Sequence, residues 1–512
     1  MKVLTAAQMR AVDQATIELG IPGLILMENA AQRCVEYIAE KFAPVSDHRI
    51  VVVCGKGNNG GDGLAIARQL HVRYRPAALH VVLACDPAEL SGDAARNLAM
   101  LHAVGLAEVR QTTPEMATAT LVVDAILGTG TSGAARGEAL LAIQAVNTAF
   151  PITKVLAVDL PSGLASDSGA IPGDYVRADA TVTFTAPKYC HVLPPAANRM
   201  GDLRVAPIGS PERIFEEDPE IQLSLVTRAQ VAPLFAPRAK DANKGRFGHV
   251  LVVAGSRGKS GAAAMAGLAA LRAGAGLVTV ACPESALQAV AQHAPEIMTE
   301  PLPETSAGML SRAAFDRIAE LAATRTLVAI GPGIGLSDET REITLRLFAE
   351  LEKALVLDAD ALNALSNADW HGGSFPRILT PHPGEMSRLT ATRIADIQSD
   401  RLAAARNLAT SRNATIVLKG ERTVTAFPDG RVWVNPTGCP AMAKAGTGDI
   451  LTGMLSGLLA QFPDSPDLAT AGAVYLHGLC GELAAVQFSE QSVLATDLLR
   501  AIHRGIRATA NV

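Results

Sequence analysis

The run Ala445-Gly-Thr-Gly-Asp-Ile-Leu-Thr-Gly453 has the residue types and spacing to hold an anion and do chemistry on it. Gly446, Thr447 and Gly448 precede an apolar segment, Ile450 to Leu459, that reads as a buried helix. Glycines there allow a tight turn that presents successive backbone N–H groups, and the helix start adds its positive dipole end. Asp449 falls in the first helical turn, aimed at the same spot. A carboxylate beside an anion cradle is costly unless it has work to do, such as taking a proton from a hydroxyl that attacks a phosphoryl group. The competing reading is a plain helix cap by Thr447 or Asp449.

A second glycine-rich loop, Gly55-Lys-Gly-Asn-Asn-Gly-Gly-Asp-Gly63, follows the apolar run Ile50 to Cys54 and leads into a helix to about His71. Gly55, Gly57 and Gly60 give the GxGxxG spacing in a strand–loop–helix context, and a strand from about Leu79 to Cys85 ends at Asp86; alone, this suggests a dinucleotide fold. Asn58, Asn59 and Asp62 are unusual in a plain pyrophosphate turn, and Asn carbonyl oxygens also suit a cation. A tight turn using Asn and Gly for positive φ is the structural alternative.

The elements that position these groups follow from the pattern of apolar runs. Thr5 to Glu18 and Leu24 to Phe42 have helical periodicity and precede the first strand. Thr120 to Val123 leads into Asp124 and Gly128-Thr129-Gly130-Thr131-Ser132-Gly133. Lys154 to Val158 leads into Asp159-Leu-Pro-Ser162-Gly, and Thr181 to Phe184 into Thr185-Ala-Pro-Lys188. In an open parallel sheet such strand ends share one edge, where ligands bind, so Asn58, Asn59, Asp62, Asp124, Gly128–Gly133, Asp159, Ser162 and Lys188 should converge. Residues 211–240 lose periodicity and read as a linker (216–240) between domains 1–215 and 241–512. The second half repeats the pattern. Strands near Val250–Val253, Leu277–Val280, Thr326–Ile330, Ala354–Leu357, Arg377–Leu379 and Thr415–Leu418 each end in a polar or Gly-rich turn. Gly255-Ser-Arg-Gly-Lys-Ser260 invites comparison with a P-loop, but the first Walker A glycine would fall at Val253. His382 lies between two prolines near Glu385 at a strand end, which favours a site over an ordinary loop histidine.

At 512 residues there is room for two or three domains, and 49% hydrophobic with 19% charged residues suits buried parallel sheets under Ala-rich helices. A net charge of −5 with scattered basic residues gives no nucleic-acid footprint. Seven dispersed cysteines with no CxxC argue for reduced thiols in a cytoplasmic protein rather than a disulfide framework or structural zinc. No signal-peptide core is read at the N-terminus, and Gly261–Cys282 reads as a buried helix and a strand rather than a membrane span.

The block Cys54–Gly63, Asp124-Ala-Ile-Leu-Gly-Thr-Gly, Asp159-Leu-Pro-Ser-Gly and Thr185-Ala-Pro-Lys188 resembles the NAD(P)H-hydrate epimerase family over about residues 1–215. The resemblance implies a Rossmann-like domain that interconverts the R and S epimers of hydrated NADH or NADPH. It implies substrate binding by Asn58, Asn59, Gly60, Gly61 and Asp62 and by Gly128, Thr129, Gly130, Thr131, Ser132, Gly133 and Ala134. It implies a potassium ion held by Asn59, Asp124 and Ser162, and Asp159 as the acid/base, with Lys188 a weaker partner candidate.

The ordered set Lys244-Gly-Arg-Phe-Gly-His, Gly331-Pro-Gly-Ile-Gly, Leu357-Asp-Ala-Asp-Ala-Leu-Asn, Thr380-Pro-His-Pro-Gly-Glu, Leu418-Lys-Gly and Gly446-Thr-Gly-Asp resembles the ADP-dependent NAD(P)H-hydrate dehydratases of the ribokinase-like superfamily, over about residues 225–510. This implies nucleotide binding by Lys419, Gly420, Glu421, Arg422, Thr423, Gly446, Thr447 and Gly448, with Mg2+ accompanying ADP. It implies that Gly333 and His382 contact the hydrated nucleotide and that Asp449 is catalytic. Cys439 and Ala441 depart from the family, which often has Asn and Gly there. The expectation is an α/β protein with two linked activities, small-molecule substrates, no nucleic-acid or membrane partner, and a homo-oligomeric assembly. Its rivals are a vitamin-type small-molecule kinase fused to a dinucleotide-binding domain, and a dinucleotide sensor without turnover. A dehydrogenase first half rests on GxGxxG alone.

Overall fold

A computed structural model describes residues 1–130 and 133–510 and divides the chain into two compact units, Met1–Leu223 and Ser224–Val512. In the first unit, strands β1 (Arg49–Cys54), β2 (Ala78–Leu83), β3 (Glu108–Val109), β4 (Leu121–Ala125), β5 (Lys154–Val158), β6 (Ala180–Phe184) and β7 (Asp202–Ala206) form one sheet in the order β3-β2-β1-β4-β5-β6-β7. Every pairing in it is parallel. This is the doubly wound order, reversing at β1 and β4. Alternate residues explain why both faces are covered. Ile50, Val52 and Cys54 share a core with the helices Gly23–Lys41 and Asn58–Arg73, while Val51 and Val53 pack with Ile143 and Val146 of the helix Gly137–Thr148.

The second unit holds β9 (His249–Val253), β10 (Leu277–Pro283), β11 (Met298–Leu302), β12 (Leu327–Ile330), β13 (Ala354–Leu357), β14 (Arg377–Leu379), β15 (Thr415–Leu418), β16 (Val424–Ala426) and β17 (Val432–Val434). The sheet runs β11-β10-β9-β12-β13-β14-β15-β16-β17, ending in a short strand β8 (Leu223–Leu225) at the division between units. It is parallel from β11 to β15 and antiparallel through the β15–β16–β17 meander. The helix Thr447–Gln461 lies directly on the helix Ser260–Arg272. A β-carbon on Gly453 would stand 2.2 Å from the Ala266 carbonyl oxygen, and one on Gly457 2.5 Å from that of Ala270. Only glycine permits that approach, and it fixes the first turn carrying Asp449 against the sheet edge.

Three features differ from the sequence reading. Asn58 to Asp62 are the first turn of the helix Asn58–Arg73 rather than a free loop. The strands β3, β7 and β11 escape pattern reading because they are very short or partly exposed at sheet edges. Within the expected 216–240 linker, residues 224–240 belong to the second unit: Val231, Leu234 and Phe235 are buried in its core, apolar anchors hidden in a stretch without periodicity. Among the described residues no helix is long and apolar enough to cross a membrane, and residues 261–282 are indeed a helix and a strand, Ser260–Arg272 and β10.

Candidate active sites

In the first unit the C-terminal strand ends open onto a cavity of about 860 Å³ lined by Asn58, Asn59, Asp62, Gly128, Thr129, Gly130, Asp159 and Lys188, among others. Of the residues expected to converge, these line the cavity, whereas Asp124 and Ser162 do not and are hydrogen-bonded to each other. Gly60 and Gly61 lie behind its wall. A β-carbon on Gly60 would stand 1.8 Å from the Gly55 carbonyl oxygen, so glycine is needed where the helix start folds back on β1. Among the described residues, Gly133 and Ala134 do not line the cavity; Thr131 and Ser132 lie outside the described residues.

Asp159 follows β5 with φ of +67°, a left-handed conformation uncommon for a non-glycine residue and one that functional sites concentrate. Its Oδ1 accepts from Lys188 Nζ at 2.8 Å and from the Thr183 hydroxyl at 3.0 Å. Its Oδ2 lies 3.4 Å from where a Gly128 β-carbon would stand, on the cavity side. Burial pushes this carboxyl up, but the Lys188 charge and hydrogen bond outweigh it and hold Asp159 below its usual range. His191 completes the network. Its Nδ1 accepts from the Lys188 backbone N–H at 2.8 Å, so Nε2 carries the proton and donates to the Asp159 carbonyl at 3.0 Å. Burial lowers His191 to about 4, leaving it neutral. Thr183 and His191 were not singled out from sequence; they join the site only because β6 and the turn after Lys188 bring them to Asp159.

The implied potassium ligands can be tested on their hydrogen bonding. Asp124 is fully buried, accepting from Ser162 Oγ at 2.6 Å, Ser162 N at 2.8 Å and Ile126 N at 3.2 Å. Asn59 is buried with both amide atoms, Oδ1 and Nδ2, unpaired. A buried carbonyl oxygen without a donor is the group a cation satisfies, so the residues present fit a hard monovalent ion.

In the second unit, Gly446 (φ +90°) is the cap residue of the helix Thr447–Gln461 and supplies no side chain to it. Thr447 does not cap the helix either: its hydroxyl donates to the carbonyls of Met442 at 3.0 Å and Lys444 at 2.9 Å. The first N–H groups thus keep no side-chain partner, as an anion cradle requires. Lys419 lies under this turn, its Nζ 3.6 Å from where a Gly448 β-carbon would stand. It donates to Asp358 Oδ1 at 2.7 Å and sits 3.7 Å from Glu385 Oε2. Burial would lower its ammonium, but Asp358 and Glu385 outweigh that and hold it above its usual value. Asp358 also accepts from Thr380 Oγ1 at 2.7 Å and, on Oδ2, from Thr452 Oγ1 at 2.7 Å. No such lysine bond reaches Asp449. Burial first, then the Asp358 charge, push it up to about 6, with Lys419 pulling the other way.

Gly333 (φ +68°) has its carbonyl bonded to Ser256 Oγ at 2.7 Å and packs on Lys259, which pairs with Asp360 at 3.3 Å. Asp360 also accepts from Gly335 N at 2.9 Å and contributes to the raised Asp449, so this loop and Asp449 share one neighbourhood. His382 has a structural task the sequence reading did not give it. Its Nδ1 accepts from Gly384 N and Glu385 N, while Glu385 Oε2 accepts from His382 N at 2.8 Å, a reciprocal cap on the helix Pro383–Thr390. Gly420 (φ +144°) and Arg422 (φ +52°) shape the turn after β15, Thr423 closes it onto the Gly420 carbonyl at 3.0 Å, and Arg401 donates to the Glu421 carbonyl. Asp358, Thr380 and Thr452 were missed as site residues; Asp358 and Thr380 do fall at the strand ends already marked. Among the described residues no cluster of three or more His, Cys, Asp or Glu side chains is arranged to hold a metal ion. A divalent ion at this site would need nucleotide phosphates as partners.

Residues 23–190 match the family model described as YjeF-related protein N-terminus, and residues 250–504 that described as NAD(P)H-hydrate dehydratase. The chain is 43% identical over 511 residues to a bifunctional NAD(P)H-hydrate repair enzyme of Moorella thermoacetica, covering 98% of this chain and 95% of that one. It is 40% identical over 526 residues to the protein of the same name from Salinibacter ruber, with 98% and 95% covered. A solved ADP/ATP-dependent NAD(P)H-hydrate dehydratase of Bacillus subtilis, co-crystallised with ATP and Mg2+, superposes with a TM-score of 0.50 at 34% identity, covering 56% of this chain and 98% of that one. A ribokinase-like superfamily protein of Enterococcus faecalis gives 0.50 at 28% identity, with 57% and 98% covered.

Proposed function

The chain belongs to the family of bifunctional NAD(P)H-hydrate repair enzymes, and from that we propose that Asp159 serves an epimerase in its first unit and Asp449 an ADP-dependent dehydratase in its second. The observation that carries the second assignment is the pairing of an uncapped Gly446–Gly448 turn with a carboxyl raised to about 6 in its first helical turn. A carboxyl near that value is a competent base at neutral pH.

The substrate bears a hydroxyl on a ring carbon beside the nicotinamide nitrogen, and hydroxide is a poor leaving group. Asp449 takes the hydroxyl proton as that oxygen attacks the β-phosphorus of ADP, releasing AMP. The turn's N–H groups and Lys419 stabilise the charge that develops on the phosphoryl oxygens. The carbon–oxygen bond then breaks, phosphate departs, the neighbouring ring carbon loses a proton, and the dihydronicotinamide is restored. Mg2+ brought with ADP would supply further charge neutralisation at the phosphates. Gly420 to Thr423 shape the nucleotide pocket, and Gly333 with His382 contacts the hydrated ring. In the first unit Asn58, Asn59, Asp62, Gly128, Thr129 and Gly130 hold the hydrate, and Gly60 and Gly61 shape the helix start behind them. Asn59, Asp124 and Ser162 would hold potassium, which fixes the loops that carry them. We also place the chain, with its unbridged cysteines, in the cytoplasm as a homo-oligomer.

A mixed R/S NADPH-hydrate sample tests this through the absorbance of reformed NADPH, with and without ADP. Wild type should convert all of it only with ADP, Asp159→Asn only the S fraction, and Asp449→Asn none. A stable phosphorylated product without NADPH would instead establish a small-molecule kinase.

A further inference from the structure

We propose that Asp13, on the helix Ala6–Glu18, is a second proton-carrying carboxyl of the epimerisation, acting as general acid on the departing hydroxyl while Asp159 receives the proton of the entering water. This rests on the epimerase reading of the first unit.

The placement carries the inference. The helix starts from the segment that holds Lys188: Leu4 bridges to Lys188, and Leu4 N donates to the Pro187 carbonyl at 2.9 Å. Met9 and Val12 then pin it by packing with Ala186 and Phe215. Met9, Asp13 and Ile17, at helical i, i+4, i+8 spacing, line the same cavity as Asp159 and Lys188. Asp13 Oδ1 is buried and has no hydrogen-bond partner. A carboxyl buried without a donor is costly as an anion, and a neutral carboxylic acid is its cheaper form. Burial accordingly raises Asp13 to about 6, with Lys188 pulling down and Asp159 pushing up. The cavity thus holds one carboxylate kept ionised by a lysine and one carboxyl whose proton affinity its surroundings raise. Two such groups with their proton affinities pushed apart define an acid and a base. Asp62 shares the wall and is raised well above its usual range, by burial first and then by Asp159 and Asp13.

The step balances. Asp13 gives its proton to the hydroxyl oxygen as the carbon–oxygen bond breaks. The ring-nitrogen lone pair forms the carbon–nitrogen double bond, and water leaves. Water adds to the opposite face of that carbon, the electron pair returns to nitrogen, and Asp159 takes the proton of the entering water. Exchange with solvent resets both carboxyls. The other charged groups lining this cavity are Arg10 on the same helix, Lys56, Asp62, Glu89, Asp93, Arg136, Glu138, Asp159 and Lys188.

The test uses the full chain on the R hydrate and, separately, on the S hydrate, with ADP and added Asp159→Asn protein so that dehydration does not limit. Wild-type kcat/KM on the R epimer should fall tenfold per pH unit above about 6. Asp13→Asn should lower it by about 10²–10⁴ and abolish that fall, leaving the S epimer's conversion unchanged. Asp13→Glu should keep a reduced rate and a displaced fall. Wild-type rate and pH profile in Asp13→Asn would overturn the proposal. If Asp13→Asn unfolds the first unit, an unchanged profile in folded Asp13→Glu overturns it equally. Failure of wild type itself to convert the R epimer, with the S epimer converted, would defeat the epimerase reading instead.

Discussion

Asp159, buried, and Asp449, half-buried, are both carboxyls at the open end of a parallel sheet, yet a lysine is bonded to one and withheld from the other. Lys188 spends its hydrogen bonds on Asp159, Thr183 and the Phe184 carbonyl and keeps Asp159 ionised. Lys419 is turned to Asp358, which two threonine hydroxyls hold in place, and Asp449 rises to about 6. The same residue type is thus made a weaker base in one unit and a stronger base in the other. An ionised Asp159 suits a reaction that passes through a cationic ring, and a raised Asp449 suits removal of a hydroxyl proton. Burial alone raises both; the direction of one lysine decides the outcome.

Removing the stronger base should have the largest effect. Asp449→Asn should lower ADP-dependent conversion of the S hydrate by about 10³–10⁴ and leave R/S interconversion at the wild-type rate. If interconversion falls as well, the two carboxyls do not serve separate reactions and the comparison breaks. Removing the counter-charge comes next. Lys188→Met leaves Asp159 buried and unpaired, which should cost the first unit about 3–5 kcal/mol in thermal or urea unfolding. The carboxyl should rise, moving the acid limb of the epimerase pH profile upward, while dehydration of the S hydrate stays unchanged.

The contrast also has a sign in stability. Asp449 has a folded pKa above its unfolded value, so the folded state binds the extra proton between about 4 and about 6. Stability should therefore fall as pH rises through that window and stay low above it, by at most about 3 kcal/mol. Asp159 is depressed when folded, so its contribution is present above its unfolded value near 4 and is lost as pH falls below it. Asp449→Asn should accordingly stabilise the second unit at pH 7 while abolishing its turnover. Differential scanning calorimetry at pH 5 and 7 checks this; a destabilised Asp449→Asn would mean that the ionised carboxylate has a partner.

Much of this was legible because it is local. A strand, its polar end and the helix after it are contiguous, so Asp159, Lys188 and Gly446–Asp449 could be marked from the apolar runs beside them. The first unit's convergence then followed from parallel strands alone. What escaped was made by distance. Asp358 meets Lys419 across 61 residues and Thr452 across 94, and neither spacing leaves a pattern in the chain. Asp13 sits on a helix that seemed merely to precede the sheet, and its Oδ1 becomes an orphan only once that helix is laid over the cavity. His382 reads as a site residue from its place between two prolines near Glu385 at a strand end; its capping role depends on a helix starting at Pro383. Val231, Leu234 and Phe235 were lost in a linker because isolated apolar residues have no period.

The smallest expected effect bears on why Lys419 bonds to Asp358 rather than Asp449. Thr452 lies one turn beyond Gly448 in the same helix, and its hydroxyl holds Asp358 Oδ2 at 2.7 Å while also reaching the Gly448 carbonyl at 3.2 Å. Thr452→Val keeps the volume but removes that donor. A hydrogen bond to a buried charged group is worth about 1.5–3 kcal/mol, so the second unit should lose roughly the lower figure, since Thr380 and Lys419 still hold Oδ1. Asp358 is then freer to turn, and Lys419 with it. If Lys419 serves chiefly to place the nucleotide, KM for ADP should rise several-fold with kcat nearly constant. If it stabilises charge only as the phosphoryl group transfers, kcat should fall and KM stay. An unchanged KM and kcat would show that Asp358 does not orient Lys419, and the contrast between the two lysines would then rest on backbone position alone.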